Sequence, residues 1–216
     1  MSPVEPITIE RLATRLADDI VAGSTDRPAR VIVDGPIWAG VDLLDPLAAA
    51  LEVLGRGSVV VHAGDFLRPA SLRYEHGKQD ALAFTDDWID VEGLRRELLD
   101  PLGPGGTRRY LPSLWDAERD RATRAPYRTA TDRTVVLLRG WLLLGRGLPA
   151  ELTVHLALSA AARRRRVPPV DADRELPAFD RYDADVGPVE AADVVVRCDD
   201  SRHLAVSGLR PGPGTR

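Results

Sequence analysis

The chain has 216 residues, a net charge of −4 and 44% hydrophobic residues, which suits one α/β domain with a sizeable core. That charge gives no global pull toward nucleic acid, so no nucleic-acid partner is expected. The single cysteine, Cys198, excludes an intramolecular disulfide, fits a reducing cytosol and reads as a small core residue. The N-terminus lacks a charged-then-apolar signal pattern. The longest apolar run, Val135 to Leu144, is broken by Arg139 and is too short to cross a bilayer. A soluble, cytoplasmic protein without membrane contact is the expectation.

The periodicity predicts a helix from Thr8 to Ala22, with Ile9, Leu12, Leu16 and Ile20 on one face and Thr8 as N-cap. Val31 to Asp34 reads as the first strand, and Ser58 to His62 as a Val-rich second strand. An Ala/Leu helix lies between them. Asp45-Pro46 is a good N-cap and N1 pair, so that helix starts near Pro46, or starts at Gly40 and kinks at Pro46. Asp90 caps a helix to Leu99 that Asp100-Pro101 stops, and Gly103 to Gly106 is a turn-rich loop. Thr134 to Leu138 and Leu152 to Leu158 read as strands. Ala160 to Arg166 is a short helix ended by Pro168-Pro169, Pro177 to Asp185 reads as a helix, and Val194 to Arg197 as the last strand. The Gly/Pro-rich stretch from Gly208 to Arg216 is expected to be disordered. Short apolar strands alternating with helices predict a mostly parallel sheet flanked by helices, within one domain over residues 1–207.

The most informative segment runs from Arg30 to Leu51. A strand leads into a loop bounded by Gly35 and Gly40, then into a helix. This is the layout of a phosphate-binding loop, G-x-x-x-x-G-K-[ST]. The glycine spacing is right, but Val41 stands where the lysine belongs and Asp42 where the Ser/Thr belongs. Trp38 is bulky for such a loop.

These residues resemble the uridine kinase family of P-loop proteins, in particular its bacterial uridine kinase-like members, over roughly residues 8–206. The resemblance rests on the N-terminal helix, the Gly35–Gly40 loop, Gly64-Asp-Phe-Leu-Arg-Pro69, and above all Phe84 to Gly106. Arg108-Arg-Tyr110, Trp115-Asp116, Arg139-Gly140 and Ala191 to Val196 continue it in order. It implies a three-layer P-loop NTPase/kinase fold, a lid near 160–180 that looks shortened, and ATP-dependent phosphorylation of a nucleoside, with ATP and Mg²⁺ as cofactors where that activity is retained.

Measured against that pattern, the phosphate site is altered. Val41 supplies no cation. Asp42 adds negative charge near a polyphosphate, at on the order of 4 kcal/mol for a like charge ~4 Å away and a dielectric of ~20, although it would also be a hard ligand for Mg²⁺. The family's catalytic aspartate falls on Gly64, which leaves Asp65 one position off as the candidate base. The acidic residue expected at the third strand end is Arg139, which cannot bind Mg²⁺. Arg139, Arg163 and Arg166 are candidate anion-binding groups, while the run Arg163 to Arg166 also reads as a solvated helix end. The acceptor side matches better. The resemblance places substrate contacts at Phe84, Asp87, Asp90, Arg109, Tyr110, Trp115 and Asp116, with Trp115 stacking and Asp116 accepting sugar hydroxyls; Trp115 and Trp88 also read as packing groups. His62, His76, His155 and His203 show no ligand spacing, so no metal site is expected.

The leading reading is a uridine kinase-like protein with impaired phosphoryl transfer that binds a nucleoside or related phosphorylated small molecule. The first alternative is an active nucleoside or small-molecule kinase with Asp42 on Mg²⁺ and Asp65 as base. The second is an interaction partner, in a homo-oligomer or beside an active relative. An exposed Trp38 favours that last reading, and a buried Trp38 that fills the space meant for phosphates favours a dead nucleotide site.

Overall fold

The computed structural model describes residues 4–24 and 26–210. In chain order the first elements are β1 (Glu5–Ile7), α1 (Ile9–Gly23), β2 (Ala29–Asp34), α2 (Leu44–Val53) and β3 (Gly57–His62). After a 3₁₀ turn at Ala63–Phe66 come α3 (Ala70–Arg73), α4 (Ala81–Asp86) and α5 (Val91–Leu94). A ribbon follows, made of β4 (Arg109–Tyr110), β5 (Trp115–Asp116), β6 (Arg121–Ala122) and β7 (Arg128–Thr129). The chain closes with β8 (Thr134–Gly140), β9 (Leu152–Ala157), α6 (Ala160–Arg166), α7 (Ala172–Asp185), α8 (Pro188–Ala191), β10 (Val194–Arg197) and β11 (Leu204–Ser207).

The main sheet has seven strands in the order β1-β11-β10-β9-β2-β8-β3. β10, β9, β2, β8 and β3 are parallel, and β11 and β1 extend the sheet antiparallel. Side chains alternate across it. Val31, Val33, Val135, Leu137, Val154 and Leu156 pack with α1 and α2 on one face. Ile32, Val136 and Leu138 pack with α4, α5 and α7 on the other. This is a three-layer α/β fold. The chain leaves β2 for β3, beyond β8, and leaves β8 for β9, on the other side of β2. A crevice opens at such a switch point, at the carboxyl ends of the strands.

Thr8 caps α1, its Oγ1 accepting from the Arg11 N–H at 3.3 Å. Several expectations need correction. α2 begins at Leu44, with Leu43 as cap and Asp45 inside the first turn, so neither Pro46 nor Gly40 starts it. Pro46 is its third residue, where no intrahelical N–H bond is made, so proline forfeits nothing there. The first helical bond runs from the Leu47 N–H to the Leu43 carbonyl at 3.1 Å. Asp90 caps α5 as expected, but the helical path continues as a π turn at Arg95–Leu99 and a 3₁₀ turn at Asp100–Leu102, past Pro101. α7 starts at Ala172 and contains Pro177. Val194–Arg197 is not the last strand, because β11 follows it and pairs with β10 and with the edge strand β1, both β11 and β1 being short and unmarked by any long apolar run. Of the tail expected to be disordered, Leu209 packs on the core and the Arg210 carbonyl accepts from Arg15 Nη2 at 3.0 Å; the remainder, 211–216, lies outside the described residues.

Candidate functional site at the carboxyl ends of the strands

β2 ends in Asp34, a carboxylate with no exposed surface. It shares its sheet face with Ile32, so it points toward α7. Three donors meet it: the Leu143 N–H at 2.8 Å, His155 Nδ1 at 2.7 Å and the Tyr182 hydroxyl at 3.1 Å. The same hydroxyl accepts from the Leu144 N–H at 2.9 Å. Burial, and then the Asp34 charge, push the Tyr182 phenol well above its ordinary range, so it stays a donor. The backbone contributes strain as well. Leu142 is buried with φ +54°, a left-handed conformation uncommon in leucine. That turn aims the next two N–H groups at Asp34 and Tyr182.

Arg139, one residue before the end of β8, lies on the opposite sheet face and only 9% of it is exposed. Its Nη1 donates to the carbonyls of Gly35 at 2.6 Å and Val33 at 3.3 Å, and to that of Gly140; Nη2 donates to the Pro36 carbonyl at 2.6 Å. Burial lowers its pKa, and the charge of nearby Asp34 partly offsets this. The guanidinium therefore holds the start of the glycine loop by its carbonyl oxygens. Arg166 holds the far side. It donates to the Ala39 carbonyl, to that of Cys198 at 2.9 Å and to that of Asp199 at 2.8 Å. Gly35 is required at the loop's entry. Its φ is +132°, and a side chain would meet the Leu156 carbonyl oxygen at 2.7 Å.

Trp38, expected to decide between a surface and a filled site, is half-buried and packs against both cores. Its Nε1 donates to Glu175 at 2.7 Å, and its ring meets Phe179 edge-on at 5.8 Å. Val41 packs on the α1–α2 core. Asp42 is exposed and Asp65 half-buried, and neither carboxylate has a hydrogen-bond partner among the described residues. Asp65 contributes its carbonyl, which accepts from the Leu114 N–H at 2.8 Å. The Arg163–Arg166 run is only half solvated, which corrects the expectation. Arg164 and Arg165 are exposed, whereas Arg163 is buried and pairs with Asp180 at 3.0 Å and Asp183 at 2.6 Å on α7.

The predicted acceptor residues fall in several places. Phe84 is buried and stacks on Trp141 with centroids 5.8 Å apart. Asp87 pairs with Arg68 at 2.6 Å, and Asp90 accepts from the Gly93 N–H at 2.8 Å. Tyr110 is core, and Arg109 lies on the ribbon over the Tyr127 ring. Trp115 Nε1 donates to Asp120 at 3.1 Å, while Asp116 accepts the N–H groups of Glu118 and Arg119. Those bonds build the ribbon.

A cavity of about 150 Å³ opens beside the loop, lined by Ile37, Phe84, Trp88, Trp141, Phe179 and three charged residues of α7 and its approach, Asp171, Arg174 and Glu175. The buried stripe of α7 is Arg174, Glu175, Ala178, Phe179 and Tyr182, helical spacing that begins with two charges. Arg174 Nη2 donates to Asp171 at 2.6 Å and to Glu175 at 3.0 Å, and its guanidinium lies 4.4 Å from the Trp88 ring centre and 5.0 Å from that of Phe84. Sequence reasoning missed Asp34, His155 as part of a network, Trp141, Arg174, Glu175 and Tyr182. Two carried a readable signal: Asp34 is a charge ending an apolar strand, and Trp141 directly follows another strand end. The others carried none, because only folding brings α7, and His155 of β9, to this crevice. Among the described residues no cluster of His, Cys, Asp and Glu is arranged to hold a metal ion, and no helix is long and apolar enough to cross a membrane.

Neither a protein-family model nor a curated protein matches the chain. Solved structures do. A protein from Bacillus stearothermophilus described as a possible uridine kinase aligns at a TM-score of 0.66 and 22% identity, covering 85% of this chain and 96% of that one. A protein from a Silicibacter species described as a candidate fructose transport system kinase aligns at 0.58 and 23% identity, covering 87% and 90%. The chain has a P-loop kinase fold. Within that fold, the loop from Gly35 to Asp42 follows β2 and precedes α2, and the cavity lies on the α7 side of it.

Proposed function

We propose that this chain is a nucleoside-kinase-like small-molecule-binding protein whose phosphate loop, a degenerate Walker A segment, no longer supports efficient phosphoryl transfer. The carrying observation is the engagement of two of the three candidate replacement cations, Arg139 and Arg166, with the loop's own backbone, while the third, Arg163, is paired with Asp180 and Asp183. Phosphoryl transfer depends on cations and N–H groups aimed at the phosphates. Arg139 and Arg166 instead donate to carbonyls of residues 33, 35, 36 and 39, Val41 has no charge, and Asp42 is acidic. Trp38 turned toward Glu175 supports the same reading. The ligand site in this proposal is the cavity beside α7, with Phe84 as the predicted substrate residue that lines it. The structural neighbours' descriptions divide between a nucleoside and a sugar, so the ligand class is a neutral acceptor of one of those kinds.

One observation favours the rival of an active enzyme: the Asp42 and Asp65 carboxylates are free of hydrogen-bond partners among the described residues, as a metal ligand and a base would be before substrate arrives. ATP and Mg²⁺ belong to that rival. A phosphotransfer assay with labelled ATP, Mg²⁺ and uridine, cytidine or fructose separates the two. The proposal expects no product above background. Product formation that disappears in Asp65→Ala overturns it.

A further inference from the structure

The cavity beside α7 has a chemistry narrower than "small molecule". Among the described residues three buried donors have no partner, Trp141 Nε1, Arg163 Nε and Arg174 Nε, and the first and last belong to cavity-lining side chains. Only 8% of Arg174 is exposed. Buried donors are nearly always satisfied in a working state, by protein, water or ligand. Beside them stand the Asp171 and Glu175 carboxylates, which accept. One cation against two carboxylates leaves the lining net negative, so a phosphorylated or carboxylated ligand meets repulsion. A ligand that satisfies this lining is uncharged and both accepts and donates.

Size and wall geometry narrow it further. A cavity of about 150 Å³ is of the size that admits one six-membered ring. The parallel aromatic pair, Phe84 and Trp141, stacks on itself with centroids 5.8 Å apart and 8° between planes, leaving no slot for a flat ring between them. Trp88 crosses Phe84 at 74°, and the Arg174 guanidinium already lies over both Phe84 and Trp88. The walls form a crossed box rather than a slot. A puckered ring with C–H groups on its faces and hydroxyls on its rim fits such a box, because each hydroxyl accepts and donates.

We infer that this cavity binds a neutral, polyhydroxylated single ring, a free monosaccharide or cyclitol, with Trp141 and Arg174 donating to its oxygens and Asp171 accepting from its hydroxyls. The inference rests on the reading of the chain as a small-molecule-binding protein and names the ligand class. The test is tryptophan-fluorescence titration of the full chain with D-glucose, D-fructose, myo-inositol, glucose 6-phosphate, uridine and adenosine. The expected result is saturable binding of at least one neutral polyol, at least tenfold weaker binding of glucose 6-phosphate than of glucose, and no adenosine binding. Trp141→Phe keeps an aromatic ring but removes the indole N–H, and weakens that polyol about tenfold. Should that variant not fold, Asp171→Asn, at a part-exposed position, weakens it by a similar factor. Saturable uridine binding with every polyol silent overturns the inference and leaves the small-molecule reading standing. Silence from polyols and nucleosides alike overturns both. Polyol binding unchanged in both variants places the site elsewhere and also overturns the inference.

Discussion

The two sides of the crevice differ in how their polar groups are satisfied. On the glycine-loop side, Arg139 and Arg166 saturate backbone carbonyls. On the α7 side, a similarly buried arginine and a tryptophan keep donors without partners around a cavity. A polar network closed on itself fixes a shape, whereas one left open reserves bonds for something else. By that criterion, in the proposed reading, the loop is structure and the cavity beside it is the ligand site.

The comparison breaks first at Arg139. Arg139→Met strands several buried carbonyls and leaves Asp34 without its neighbouring cation. A loss of about 3–5 kcal/mol, the usual effect of breaking a buried charge arrangement, is expected in urea denaturation. A loss under about 1 kcal/mol, the scale of a single ordinary hydrogen bond, would mean that the guanidinium does not hold the loop. Next, Asp34→Ala leaves His155 Nδ1, the Tyr182 O–H and the Leu143 N–H without their acceptor, at about 1–3 kcal/mol for each group left unsatisfied. Asp34→Asn, which still accepts, should be milder.

Cys198 tests the same side by pH. Its thiol is pushed up to about 11 from 9.0, chiefly by burial. With each pKa unit worth a tenfold change in thiolate, alkylation at pH 8 should run at least about 100-fold slower in the native than in the unfolded protein. The raised value also means that this group's stabilisation is complete below pH 9 and fades as the pH rises toward 11. Comparable alkylation rates in the two states would mean that this strand end opens readily.

Smaller effects sharpen the boundary between the two sides. Trp38→Phe removes the bond that links the loop to Glu175 and should lower stability by about 1 kcal/mol in thermal melts. The double change Val41→Lys with Asp42→Ser restores the motif's residue types near the surface. It should lower stability by about 1 kcal/mol, since Val41 packs on the core, and confer no Mg-ATP binding, because the loop still turns its carbonyls to Arg139.

Much of this architecture was legible in the sequence, and the reason is local. β2, β3, β8 and β9 are apolar runs, while Thr8 and Asp90 cap helices in the positions where such residues belong. Misreadings arose where local rules compete. Pro46 looked like a helix start because proline favours the first turn, and its third position belongs to that turn as well. Pro177 looked like a boundary, yet α7 passes through it because its buried stripe packs against the sheet. Within the site, the altered positions Val41, Asp42 and Arg139 could be named from the glycine spacing and the strand ends. What could not be foreseen is that Arg139 reaches back to the loop's carbonyls, since this depends on the register that sets Val33 beside Arg139. The cavity was hidden for the same reason. Phe84, Trp141 and Arg174 are far apart in sequence and meet only across layers.

The most direct test of the closed-loop, open-cavity account is calorimetric titration of the purified chain with Mg-ATP. The account predicts no saturable heat up to millimolar nucleotide. Stoichiometric, saturable Mg-ATP binding would contradict it, because the loop would then be offering its N–H groups to phosphates.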